Sequence, residues 1–390
     1  MQTIDANRSA PPAAPAAASE LRRCRIRFTG SGQEYFRIWI VNLLLTIATL
    51  GIYSAWAKVR KLQYFYRNTD LDGSVFDYHG DPLAILKGRM LAVLMLVLYK
   101  LALTFLGPFA LIAVLALIAV IPWLLTQSYR FRLHNSSYRG LRFRFAGPVS
   151  RAYLIFGLPM ALALAPGALA AMGMGGSPQH PAPRLALGIG LFYLALMLLW
   201  PYLHFCFKRW QHGHASYGTA RASFEGSAWN FYAPYLAAAV MMLAATIVVG
   251  VVAGGLGLAA LGRGAGRGIG AGFLVPIVLF YVAALAIMPL VTAWTQNAAW
   301  SATRLEGVAF ESDARAARLI GITLSNLLMV VLSLGLLIPF ALMRSMKYRI
   351  ESIQVLDADA LARFASDGKD AQVGATGEGA VDVMDLDFGL

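Results

Sequence analysis

Arg25-Ile26-Arg27-Phe28-Thr29-Gly30 returns further along the chain as Arg142-Phe143-Arg144-Phe145-Ala146-Gly147. A second stretch, Asn68-Thr69-Asp70-Leu71-Asp72-Gly73 followed by Phe76 and Gly80, has the spacing of Asn135-Ser136-Ser137-Tyr138-Arg139-Gly140 followed by Phe143 and Gly147. Weaker copies occur at Tyr217, Phe224 and Gly226, and at Leu305, Gly307 and Phe310. A motif that returns at intervals points to a fold assembled from similar units. Apolar and polar residues alternate inside each copy, so each reads as short strands. Phe28, Phe76, Phe143, Phe145, Phe224 and Phe310 are the side chains expected to turn inward.

Between these copies the chain is a different material. Of its 390 residues 58% are hydrophobic and 14% charged, against about 25% charged in a soluble domain, and mean hydropathy is +0.61. Apolar runs long enough to approach the thickness of a bilayer core occupy Met90–Leu106, Phe109–Leu125, Ala152–Met172, Leu185–Phe207, Tyr235–Leu261 and Ala271–Trp294. The reading is an all-α polytopic membrane protein. It has six spanning helices in three hairpins, two further terminal hydrophobic segments, and a small cytoplasmic layer of short strands. Residues 1–20, Ala/Pro-rich, read as a disordered tail; 21–356 form the membrane domain; 357–390 read as an acidic disordered tail.

Net charge is +13, but the basic residues flank the hydrophobic runs, as the positive-inside bias requires, and do not argue for nucleic acid. The connections 57–90 and 126–151 hold six Lys or Arg each, and 208–233 and 296–318 hold three each. The alternate turns at 107–108, 173–184 and 262–270 hold none, one and two. The rich connections are therefore assigned to the cytoplasm of a bacterial inner membrane. Cys24 and Cys206 are too few for a disulfide framework.

The terminal segments Ile38–Ala57 and Leu319–Met343 need separate treatment. Asn42, Gly51, Trp56, Arg60 and Tyr64 in the first match Asn326, Gly335, Phe340, Arg344 and Tyr348 in the last at identical spacing. Single crossings would put both basic termini outside and separate Arg25–Gly30 from its copy at Arg142–Gly147. Helices broken at Gly51 and Gly335 would enter and leave from the cytoplasmic side and remove that conflict; Pro339 suits such a break. The two alternatives are a plain crossing and a re-entrant turn.

The run from Phe28 through Asn42, Thr49-Leu50-Gly51-Ile52-Tyr53-Ser54-Ala55-Trp56 and Arg60 to Asn68, Gly73 and Phe76 resembles the signature of the YjgN-like family. The resemblance covers roughly 25–355. It implies a bacterial inner-membrane, multi-pass helical domain of unknown function and supplies no catalytic residues.

Candidate chemistry is sparse. His204, Cys206, His212 and His214 are metal-ligand types, but eight residues separate the first and third, roughly 12 Å along one helix, so no metal is assigned. Neither a Ser-His-Asp set nor paired carboxylates nor a nucleotide loop occurs, so no cofactor and no enzyme activity are expected. Arg60 and Arg344, with Lys58 and Lys61, are the candidate contacts for anionic lipid or solute, because basic side chains beside aromatic ones attract anionic headgroups. Asn42, Gly51, Asn326 and Gly335 would build the turns. The expected partner is the lipid bilayer, including anionic lipids. The functional expectation is a transporter or channel-like protein for a small solute or lipid, with a non-catalytic scaffold as alternative.

Overall fold

In the computed structural model the described residues are 22–105, 110–171, 183–262, 268–357, 359–361 and 363–364. The far turns at 107–108 and 173–182, the centre of the Gly-rich turn and both chain ends lie outside them.

Among the described residues the strands form one sheet, not a small layer. Its eleven strands are β1 (Arg23–Arg25), β2 (Arg27–Phe28), β3 (Thr69–Leu71), β4 (Ser74–Tyr78), β5 (Ser136–Tyr138), β6 (Leu141–Phe145), β7 (Ala215–Tyr217), β8 (Ala220–Phe224), β9 (Thr303–Leu305), β10 (Val308–Ser312) and β11 (Ile353–Leu356). Their spatial order is β1-β11-β10-β9-β8-β7-β6-β5-β4-β3-β2, antiparallel throughout. Because β1 and β2 are halves of one segment interrupted at Ile26, that segment occupies both ends of the order and the sheet returns on itself. The expectation of an all-α protein with a minor strand layer is corrected accordingly: separate hairpins could not satisfy their edge N–H and C=O groups, whereas a closed sheet leaves none open.

Four two-residue hairpins build most of this ring. Asp72-Gly73, Arg139-Gly140 and Glu306-Gly307 have positive φ at both positions, the turn whose twist suits paired strands. Leu71 faces Ser74, Tyr138 faces Leu141, Tyr217 faces Ala220 and Leu305 faces Val308 across the turns. The first and last strands also pair, with Arg23 opposite Leu356.

The interior of the ring is filled. Ile26, Leu71, Tyr138, Leu141, Tyr217, Val308 and Val355 are buried there, with Phe76, Phe143 and Phe310 packed against them. Phe28, Phe145 and Phe224 turn instead to the joint between ring and helices. Ala360 and Leu361 are buried against the same core and Phe364 packs on it. Packed structure thus extends past the 356 boundary read from the sequence, since these three apolar side chains cap the ring.

Among the described residues, ten helices stand on the ring. They are α1 (Gly32–Ala48), α2 (Ser54–Arg67), α3 (Pro82–Phe105), α4 (Ala110–His134), α5 (Val149–Ala152 running through a π turn into Leu158–Ala171), α6 (Pro183–Gly213), α7 (Trp229–Gly262), α8 (Gly268–Ser301), α9 (Ala316–Leu332) and α10 (Ile338–Glu351). Each packs on the next in chain order, and α10 packs on α1, so the helices close as the strands do. Helices α3 to α8 supply six segments long and apolar enough to cross a membrane. Their large side chains, such as Leu96, Met197, Leu243 and Val251, point outward, tolerable on this scale only against lipid.

Candidate functional site: two short helical hairpins

The segments α1–α2 and α9–α10 differ from the other three helix pairs in length. At 1.5 Å per residue, α1 and α9 (17 residues each) reach roughly 26 Å from the ring, while α3, with 24, reaches roughly 36 Å. Both short pairs leave the sheet and come back to it, β2 preceding the first and β11 following the second.

Their turns are built alike. Leu50 and Gly51 have φ 51° and 94°; Leu334 and Gly335 have 51° and 90°. The Gly51 N–H donates to Thr46 O at 2.7 Å, and Gly335 N–H to Val330 O at 2.9 Å, a helix ending of the left-handed glycine kind. The Thr49 hydroxyl then accepts from Tyr53 N at 2.9 Å, and the Ser333 hydroxyl from Leu337 N at 3.0 Å. At the tips Leu50 is 95% and Leu334 94% exposed. Near the ring, Tyr64 OH bonds the backbone of Ser31, and Tyr348 OH that of Arg315.

The two hairpins differ in their polar interiors. Asn326 is buried; its amide donates to Ala341 O (2.9 Å) and Ser345 Oγ (3.0 Å), and its Oδ1 accepts from Arg344 at 2.9 Å. Asn42 is buried equally, but its Oδ1 finds no partner among the described residues, nor does Tyr53 OH. Arg60, the positional equivalent of Arg344, instead lies over the Tyr53 ring, 5.8 Å from its centre. Lys61 is exposed. Lys58 is exposed as well. The side chains singled out from the sequence therefore split. Arg344 holds Asn326 and Arg60 covers Tyr53, while Lys58 and Lys61 stay exposed.

The histidines of α6 and the following turn take separate partners. His204 pairs with Tyr235 OH, His212 with Thr303 Oγ1 and His214 with Trp210 O. Among the described residues no three metal-ligand side chains converge.

Comparison with known proteins adds the following. A family model described as a bacterial protein of unknown function (DUF898) matches residues 23–383. The inner membrane protein YjgN of Salmonella typhimurium is 33% identical over 145 residues, 35% of this chain and 35% of that protein. Two Escherichia coli proteins of the same name are 30% identical over 147 residues, 36% of each chain, and 49% identical over 51 residues, 13% of each. The matched part spans about a third of the first two relatives' length. No solved structure matches.

Proposed function

This chain belongs to the DUF898 family of bacterial proteins of unknown function, and from that premise we propose that it moves a lipid or small amphiphilic solute within the inner membrane. One observation carries the reading: the two short hairpins are neighbours, α1 against α10, where the Phe36 and Phe340 rings lie 5.9 Å apart. Four adjacent helices of the ten thus form a low sector ending in exposed Leu50 and Leu334. In the outer part of a bilayer core ~30 Å thick, the remaining six helices would leave that sector open to lipid. The path runs beside the protein's axis and not along it, since the ring's centre is filled.

Orientation follows from charge. All four basic connections contain the hairpin strands, so the positive-inside bias sets the ring in the cytoplasm. Protein does not surround the Gly51 and Gly335 turns, but both keep backbone groups paired within the hairpin, Gly51 N–H to Thr46 O and Gly335 N–H to Val330 O, as membrane depth requires. In liposomes holding the purified chain, fluorescent phosphatidylglycerol should cross between leaflets, and Arg60→Ala or Arg344→Ala should abolish the movement while the protein still inserts. Unchanged movement in both variants would refute this route.

The filled ring also favours a second reading, a non-catalytic scaffold that presents its strand rim to a partner. It requires a stable partner in pull-downs and no lipid movement in the same liposomes.

A further inference from the structure

The two copies of the Arg-x-Arg strand keep different company. In the first, Arg25 pairs with Asp313 at 2.7 Å, and Arg27 stands opposite Asp70 in the strand register. In the second, Arg142 and Arg144 of β6 are exposed. Leu141 and Phe143 beside them pack in the ring's core, so both arginines stand on its outer wall. Arg144 lies opposite Ser216 of β7, and Ser216 opposite the exposed Arg221 of β8. With strands about 4.8 Å apart and about 3.4 Å per residue, Arg221 stands roughly 10 Å from Arg144, and Arg142 roughly 7 Å. Among the described residues none of these three guanidinium groups makes an ion pair with a carboxylate. Arg142 meets the His134 ring at 3.2 Å. The Glu306 carboxylate accepts from the Arg221 backbone N–H at 2.8 Å, not from its side chain.

The chain itself arrives at this wall. After β11, Ala360 and Leu361 are buried against the ring's core and Phe364 packs on it. A Cβ built on Gly218 would lie 4.0 Å from Phe364 O. Phe364 therefore rests against the β7–β8 turn, which joins the strand of Ser216 to that of Arg221. Residues 365–390 lie outside the described residues; they hold Asp367, Asp370, Glu378, Asp382, Asp385 and Asp387 against Lys369. At about 3.3 Å per residue, Asp367 can reach roughly 10 Å from Phe364 and Asp370 roughly 20 Å. Arg221 follows Gly218 by three positions, and Arg144 is level with Ser216, two positions before it, so both lie within that reach. Exposed ion pairs are individually weak. A tethered segment, however, meets its site at an effective concentration of about millimolar, and several such pairs then act together.

We propose that residues 365–390 dock on the outer wall of β6–β8, with Asp367 and Asp370 on Arg221 and Arg144 and a later carboxylate on Arg142. The inference goes beyond the lipid-moving reading and stands without it. The docked segment neutralises the wall, so an acidic partner or an anionic headgroup must displace it to reach those arginines. Every contact is exposed, so docking weakens as salt shortens the Debye length from about 10 Å at 0.1 M to about 3 Å at 1 M.

The test uses the full chain, with Cys24 and Cys206 replaced by Ser, in phosphatidylcholine nanodiscs. Ala371→Cys is combined either with Ser216→Cys, between Arg144 and Arg221, or with Gln354→Cys on β11, four places from β7 in the strand order. Mild oxidation should cross-link position 371 to 216 in preference to 354, and less so at 1 M salt. Arg144→Glu with Arg221→Glu should cut that cross-link about fivefold, the equivalent of two exposed ion pairs. Adding Asp367→Arg and Asp370→Arg to that variant should restore it. Should the Glu pair fail to insert, Asp367→Asn with Asp370→Asn, which leaves the ring untouched, should give the same loss. Equal cross-linking to 216 and 354, or a yield at 216 that none of these substitutions changes, overturns the proposal. A cross-link kept in phosphatidylcholine but lost in phosphatidylglycerol nanodiscs makes a lipid headgroup the occupant and overturns it as well.

Discussion

Phe143 shows how a single side chain ties the ring together. Its ring lies 6.3 Å from Phe76 on one side and 5.0 Å from Tyr217 on the other, so it bridges three hairpins. Phe143→Asp would place an unpaired carboxylate among aromatic faces, at a cost of about 3–5 kcal/mol; the thermal midpoint in detergent should fall by roughly 10 °C, and an unchanged midpoint would contradict the packed ring. Tyr138 and Tyr217 make a second tie, each hydroxyl donating backwards to the preceding hairpin, to Leu71 O at 2.7 Å and to Tyr138 O at 2.9 Å. Burial raises the pKa of both phenols. A raised folded-state value means their contribution is complete below the ordinary tyrosine pKa of about 10. It is lost as pH climbs from there through the raised values. The ring should therefore loosen in alkali, and Tyr138→Phe with Tyr217→Phe should flatten that dependence when unfolding is followed above pH 10.

At the scale of the element, the decisive feature is the Leu-Gly pair that ends α1 and α9. The Gly51 φ of 94° is one that an L side chain adopts only with strain, and no atom stands within 4 Å of where a Cβ would go. Gly51→Ala should therefore destabilise the protein by about 1 kcal/mol through backbone strain alone. In an unbroken helix the same change would stabilise it by about the same amount, so the sign of the thermal shift separates a turn from a rod. A different glycine constraint sets the strand ends. A Cβ at Gly30, Gly80, Gly147 or Gly226 would come closer than 3.0 Å to the aromatic ring two residues earlier, which ties each aromatic-x-Gly step to the bend from sheet into helix. These glycines and the rings of Phe28, Phe145 and Phe224 were visible in the sequence motifs; Tyr78, and the close approach of each ring to its glycine, were not.

At the scale of the whole molecule, closure governs everything. Residues 23–28 pair with β11 through β1 and with β3 through β2, and Ile26 N–H donates to Ile353 O at 3.2 Å across the break. Exposed ion pairs decorate the joint, Arg22 with Asp72 and Asp359, but pairs so open to solvent contribute little; the strand pairing holds it. Strands β1 and β11 therefore lie side by side. Single cysteines at positions 22 and 357, in a background lacking Cys24 and Cys206, should react or be protected together when intact cells are treated with an impermeant maleimide. Labelling of one end alone would break the ring in the proposed membrane orientation.

Taken alone, the chain's order of residues determined the membrane character, the six long helices, the strand motifs with Phe76, Phe143 and Phe310 turned inward, and the likeness of the two terminal segments. Each of these is a local pattern of hydropathy or spacing, decided within a few turns of the backbone. Tertiary structure alone decided that eleven strands form a closed sheet among the described residues, and that Ala360, Leu361 and Phe364 pack on its core. Those depend on contacts between residues tens to hundreds of positions apart. No local periodicity encodes such contacts, because they form only when unpaired strand edges and unneutralised side chains find partners from distant parts of the chain.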